Sequence, residues 1–323
     1  MNNKMCVKNM TGSVGSAVNL NIEVTQVSEG TQNINSQVRG KTVCNKVVTP
    51  TSQRFTPADR DELIIALKGV CGTYAKCGLP RNSSRTKYIL DIVNRSRLCP
   101  ISQWDVSNVH DMSYLFDGLC FFNEDIGNWD VSHVTNMEGM FRGLRNFDQP
   151  LDKWNVSSVV NMAFMFSGAR RFNQNIGNWN VSSVEKMNSM FFGAERFNQP
   201  LDWNTSKVTD MNKMFQNAYV FNQPLDWDTS NVVDMKCMFK SAYTFNKDIG
   251  LWNVSNVTNM YEMFYGASAF DQSLSRWNVS NVSNMEYMFE YAYAMLDNIN
   301  YQLPSDGNIE PSTWNNFFKQ ETK

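Results

Sequence analysis

Apolar positions in this chain return in two alternating rhythms. In residues 126–148, Trp129 and Val131 alternate with Asn128 and Asp130, the two-residue period of a short strand with one buried face. Val134, Met137, Met140, Phe141 and Leu144 follow at offsets 0, 3, 6, 7 and 10. At about 100° per residue these share one stripe about 120° wide, which predicts a short amphipathic helix. Ser132 stands where a helix N-cap would, and a turn at Phe147–Asp148 would lead into the next strand.

The unit recurs eight times. Tryptophan marks it at 104, 129, 154, 179, 203, 227, 252 and 277, in steps of 25, 25, 25, 24, 24, 25 and 25, and phenylalanine from Phe116 to Phe289 keeps the same steps. Two independent markers agreeing on period and copy number point to a repeat architecture. The expected fold is an α/β repeat solenoid of leucine-rich-repeat type: eight strand–helix units, a parallel sheet on one face, and a helical N-terminal cap. The cap is expected from about 57 to 69, with Thr56 as N-cap, Pro57 in the first turn, and Leu63, Ile64, Leu67 and Val70 on one apolar face.

The expected divisions are a flexible arm (1–50), a helical capping region (51–100), the eight-repeat solenoid (101–299) and a C-terminal cap or tail (300–323), in which Trp314, Phe317 and Phe318 could seal the last unit. Residues 1–50 carry no aromatic residue and no sustained period, hence the arm. Units five and six lose one residue before the tryptophan, giving Leu201-Asp-Trp203 and Leu225-Asp-Trp227, and carry Thr205 and Thr229 where other units have valine.

Composition follows from the repeat, which accounts for 19 Met, 9 Trp and 21 Phe in 323 residues. The net charge of −2, from 29 basic and 31 acidic residues spread along the chain, argues against nucleic acid as a partner. Seven cysteines form an odd, irregular set, unlike a disulfide framework or metal site. Neither a signal-peptide core nor a run of 18 apolar residues is seen, so no membrane span is expected and the sequence reads as cytoplasmic.

The run W-D-V-S-x-V-x-x-M-x-x-M-F-x-x-A-x-x-F-N-Q, matched repeatedly over residues 101 to about 299, resembles the BspA-like leucine-rich-repeat surface proteins. Arg60-Asp-Glu-Leu63 resembles the helical lead-in common in that family. The resemblance implies a solenoid used for adhesion or protein interaction, displayed on a surface.

No catalytic residue, cofactor or metal site is expected: only two histidines occur, His110 and His133, and no nucleophile–base or phosphate-loop pattern is present. Trp104, Trp129, Trp154, Trp179, Trp203, Trp227, Trp252 and Trp277 read as structural core, as does the Met-x-x-Met-Phe stripe. Asn173, Asn198, Asn222 and Asn246, with Asp148 and Asp271, follow the turn phenylalanine and are expected to satisfy backbone groups. The candidate binding row is Asp105, Asp130, Asn155, Asn180, Asn204, Asp228, Asn253 and Asn278, alternating out of the core on the strand face. Beside it runs a variable flank, Gln103, Asn128, Lys153, Asn178, Asp202, Asp226, Leu251 and Arg276. The expected function is a non-enzymatic protein-interaction scaffold. Its rival is an adhesin for a glycan or host surface, the Asn-x-Ser sequences at Asn155, Asn180, Asn253 and Asn278 being glycan acceptors only on a secretory route.

Overall fold

The computed structural model describes residues 54–72 and 84–298. The arm at 1–50 and the seal by Trp314, Phe317 and Phe318 lie outside the described residues. From residue 101 the chain winds through eight coils, numbered here 1 to 8 by their tryptophans. Adjacent coils share one parallel bridge each, from Asp111↔Asn136 to Asn259↔Asn284. Among the described residues no β-strand forms, and the α-helices are α1 (Arg60–Val70), α2 (Ser84–Ser96) and α3 (Tyr293–Asn298). The parallel-sheet α/β architecture and the helix in each unit, expected from periodicity, are therefore not found.

The backbone shows why. In each M-x-x-M segment, Met112-x-x-Leu115 in coil 1, the third residue is left-handed: Tyr114, Gly139, Phe164, Ser189, Lys213, Cys237, Glu262 and Tyr287 have φ of 51–59°. A second left-handed residue follows in each coil, glycine at 118, 143, 168, 193 and 266, and Asn217, Ser241 or Tyr291 in the others. An α-helix needs φ near −63° throughout, so neither site can lie within one.

What replaces the helix is a series of tight turns. In coil 2 the N–H groups of Trp129, Val134, Met140, Leu144 and Phe147 donate three residues back, to Ile126, Val131, Met137, Phe141 and Leu144, at 3.0–3.2 Å. Consecutive three-residue turns place apolar corners at nearly the offsets of a helix face, which is how the one imitates the other. Ser132 caps no helix: its N–H donates to Asp130 Oδ1 at 3.1 Å, closing a turn within the supposed strand.

Coils are joined through the main chain at alternate residues. Met137, Gly139, Phe141 and Gly143 of coil 2 donate to the carbonyls of Asn161, Ala163, Met165 and Ser167 of coil 3 at 2.7–2.9 Å. Thr135 donates the other way, to His110 of coil 1, at 3.0 Å. Buried main-chain groups are thus paired without extended strands.

Inside, side chains stack in register. Phe141, Phe166, Phe191 and Phe215 follow one another at centroid separations of 5.3, 5.7 and 5.5 Å with interplanar angles of 12° or less. Phe147, Phe172, Phe197 and Phe221 form a second column at 5.9–6.1 Å. The eight coil tryptophans are at most 5% exposed, and their indole N–H groups donate at 2.8–3.1 Å to carbonyls: Trp104 to Cys99, the others to the preceding coil. The methionines of the stripe are buried between them. In the shortened coils 5 and 6, the buried hydroxyls of Thr205 and Thr229 bond forward to Asp228 O and Asn253 O at 2.8 and 3.0 Å.

Helix α1 begins at Arg60 rather than Pro57, because Asp59 accepts from the Glu62 N–H at 2.8 Å while the Glu62 carboxylate accepts from the Ala58 N–H, a reciprocal cap. Residues 54–58 are thereby left to line coil 1: the Asp105 N–H donates to Phe55 O at 2.9 Å and Phe55 packs edge-on against Trp104. Leu63 and Leu67 are fully buried, and Ile64 and Val70 partly so. Gly69 lets α2 approach, since a Cβ there would stand 2.3 Å from a Val93 methyl.

The turn assignment makes a prediction of sign. Lys213→Gly, at φ 56°, is expected to raise the unfolding free energy by about 1 kcal/mol, because a left-handed backbone costs a non-glycine residue about that much. In a helix the same change would lower it by about 1 kcal/mol. Urea unfolding reads the sign, and a loss would overturn the turn.

Candidate functional site

Seven residues of the candidate row, Asp130, Asn155, Asn180, Asn204, Asp228, Asn253 and Asn278, are exposed, and Asp105 is half-buried. Each also has a local task. Its Oδ1 accepts the N–H of the serine two residues on, at 3.0–3.2 Å in all eight coils. Hydrogen bonds from that serine hold the carboxyls of Asp105, Asp130 and Asp228 below the usual range. The row is an array of Asx turns, and the preference for Asp or Asn at these places follows from turn closure alone. The flank beside it carries no such constraint. All eight of its residues are exposed, and Leu251 and Arg276 border an open recess of 260 Å³ between coils 7 and 8.

The turn asparagines do what their position suggests. Asp148 accepts from the Asn173 N–H, Asn173 from Asn198, Asn198 from Asn222 and Asn222 from Asn246, at 2.9–3.0 Å, so each spans one interface. Gln174, Gln199 and Gln223 add a second bond to the same oxygens at 2.8–3.1 Å.

Variable side chains gather on the left-handed segments. Tyr114 donates to Glu138 at 2.6 Å, whose other oxygen accepts from Asn161 at 2.9 Å. Glu262 accepts from Lys240 at 2.6 Å and from the Cys237 thiol at 3.4 Å, while Lys240 also lies over the Tyr265 ring. Burial, reinforced by the Glu262 carboxylate, pushes the Cys237 thiol up to about 11, so it stays protonated and unreactive near neutral pH. His110 and His133 meet edge-on at 5.1 Å. Among the described residues no three His, Cys, Asp or Glu groups converge as metal ligands, and no helix is long and apolar enough to cross a membrane.

One grouping was not visible in the sequence. At the corner after the second left-handed residue, coils 2 to 4 bring together Arg145, Arg170, Arg171 and Arg196, all exposed. Their sequence positions are up to 51 residues apart, from 145 to 196.

The family model described as Mycoplasma protein of unknown function, DUF285, matches this chain over residues 89–202 and again over 201–302. The chain belongs to the DUF285 family. The two matches together cover the eight coils, so the DUF285 unit here is a tandem array of them. No curated protein and no solved structure matches.

Proposed function

We propose that this DUF285 protein is a non-enzymatic scaffold that binds polypeptide partners through side chains displayed on a fixed repeat frame. The observation that carries the reading is the division of labour within each coil. Stacked rings, indole bonds and Asx turns consume the recurring residues, while the flank that differs between coils, including Lys153, Asp202, Asp226 and Arg276, is exposed. A frame that holds exposed variation at regular spacing offers an extended recognition surface at low ordering cost. The BspA-like resemblance of the W-x-V-S-x-V-x-x-M unit supports an interaction role of this kind.

A second reading is adhesion to a glycan. Asn155, Asn180, Asn253 and Asn278 use Oδ1 in their turns, which leaves the carboxamide N–H groups of these exposed residues, on coils 3, 4, 7 and 8, to donate to sugar hydroxyls.

The test is capture on the immobilised full chain, with polypeptides read by mass spectrometry and glycans on an array. Two surface variants serve as controls: one reverses Lys153, Asp202 and Asp226, the other reverses the arginine corner. Polypeptides whose capture falls about tenfold or more in one variant support the scaffold, a drop equal to about 1.4 kcal/mol. Capture of glycans alone, or of polypeptides indifferent to both variants, would overturn it.

A further inference from the structure

The arginine corner continues into an aromatic one. Arg145 of coil 2, Arg170 and Arg171 of coil 3 and Arg196 of coil 4 precede Tyr219 and Val220 of coil 5 and Tyr243 of coil 6 at equivalent places. The backbone fixes their adjacency: the Arg171 N–H donates to Arg145 O at 3.3 Å, and the Arg196 N–H to Arg170 O at 3.2 Å. The Thr244 hydroxyl likewise donates to Tyr219 O at 3.1 Å. Arg170 is paired with Glu195 at 3.2 Å, whereas Arg145, Arg171 and Arg196 make no ion pair within the described residues. Val220 and Tyr243 remain 42% and 48% exposed.

We propose that this corner binds an extended acidic segment of a partner protein, with carboxylates on the free arginines and an apolar residue against Val220 and Tyr243. The proposal rests on the scaffold reading and names the chemistry of its partner. Guanidinium forks take carboxylates in two-pronged pairs, and three unpaired ones on consecutive coils form a local positive field on a chain of net charge −2. At roughly 5 Å per coil, coils 2 to 6 span about 20 Å, the reach of about six extended residues. A sugar chain fits less well, because Tyr219 and Tyr243 stack on each other at 5.2 Å and 9°, which takes one face of each ring, and guanidinium forks pair with carboxylates rather than neutral hydroxyls. A nucleic acid needs a longer run of cations than three coils supply.

Fluorescence anisotropy with the full chain tests this. The probe is a fluorescein-labelled peptide of five glutamates followed by leucine and phenylalanine. Comparators are the peptide without Leu-Phe, a twelve-nucleotide oligothymidylate and a heparin fragment. The expected result is binding of the probe that weakens about tenfold or more in the triple variant Arg145→Glu, Arg171→Glu, Arg196→Glu, each exposed pair contributing a small share. Removing Leu-Phe should weaken binding several-fold, and the melting temperature of the variant should match that of the wild type. No probe binding, binding indifferent to the reversal, or equal binding of oligothymidylate or heparin would each overturn the proposal. If captured polypeptides survive reversal of the corner but not of the flank, the corner fails and the scaffold stands; if no polypeptide is captured, the scaffold itself fails.

Discussion

Replacing Trp179 with alanine is expected to lower the unfolding free energy by about 3–5 kcal/mol, the range for deleting a large buried aromatic. The indole is 3% exposed. It stacks on Trp154 at 6.4 Å and 8°, lies 6.3 Å from Phe166, and donates to Leu151 O at 3.0 Å. Alanine would leave a cavity between coils 3 and 4 and take one of two donors from Leu151 O, which keeps the Trp154 N–H at 3.1 Å. Trp179→Phe separates the two losses: most of the packing remains and the hydrogen bond goes while Leu151 O stays paired, so a cost of about 0.5–1.5 kcal/mol is expected. Because each coil contacts chiefly its neighbours, a central breach should also uncouple the halves of the stack. Tryptophan fluorescence and far-UV dichroism should then report transitions that no longer coincide. A loss below 1 kcal/mol for Trp179→Ala, or one equal to that of Leu251→Ala at an exposed site, would contradict the stacked core.

How far the sequence discloses this structure depends on which property is asked of it. Period, copy number and the identity of buried residues are legible, because tryptophan, phenylalanine and methionine recur at fixed intervals and burial is what large apolar side chains do. The path of the backbone between them is not legible from periodicity. Steps of three residues are shared by a helix face and by consecutive tight turns, so Val134, Met137, Met140, Phe141 and Leu144 fit both. Glycine could have separated them: it occupies 118, 143, 168, 193 and 266 at one place in the unit, and a glycine recurring in mid-helix would be costly. The first left-handed place gives no such hint, since Tyr114, Phe164 and Tyr287 stand there as well as Gly139. In the same way Trp129-Asp130-Val131 alternates like a strand, yet Asp130 is held by a bond to the Ser132 N–H that no hydropathy pattern encodes.

The candidate site divides along similar lines. The row from Asp105 to Asn278 is prominent because it recurs, and recurrence in a repeat protein marks what the frame needs. Recognition belongs to positions that differ from coil to coil, which look like noise when read along the chain. Arg145, Arg171 and Arg196 become neighbours only when the coils are laid side by side, a superposition that requires the register set by bonds such as Arg171 N–H to Arg145 O. An even spread of charge in sequence therefore does not imply an even spread on the surface.

That register depends on the turn asparagines, and here a second large effect is expected. Asn198→Leu should cost about 1–3 kcal/mol, the penalty for leaving a polar group unpaired on partial burial. Asn198 Oδ1 accepts two bonds, from the Asn222 N–H at 2.9 Å and from Gln223 Nε2 at 3.0 Å, so leucine removes both links between coils 4 and 5 at one point. Asn198→Asp retains an acceptor of the same shape. Asp148 already serves in that way at the equivalent place, accepting from the Asn173 N–H at 3.0 Å and Gln174 Nε2 at 2.8 Å, so the aspartate variant should stay within about 0.5 kcal/mol of wild type. Chemical denaturation of both variants measures the difference, and amide exchange at Asn222 locates it: protection should fall in the leucine variant and persist in the aspartate one. Equal stability of the two would mean that the ladder contributes nothing beyond the stacked rings behind it, and that apolar packing alone sets the register on which the arginine corner depends.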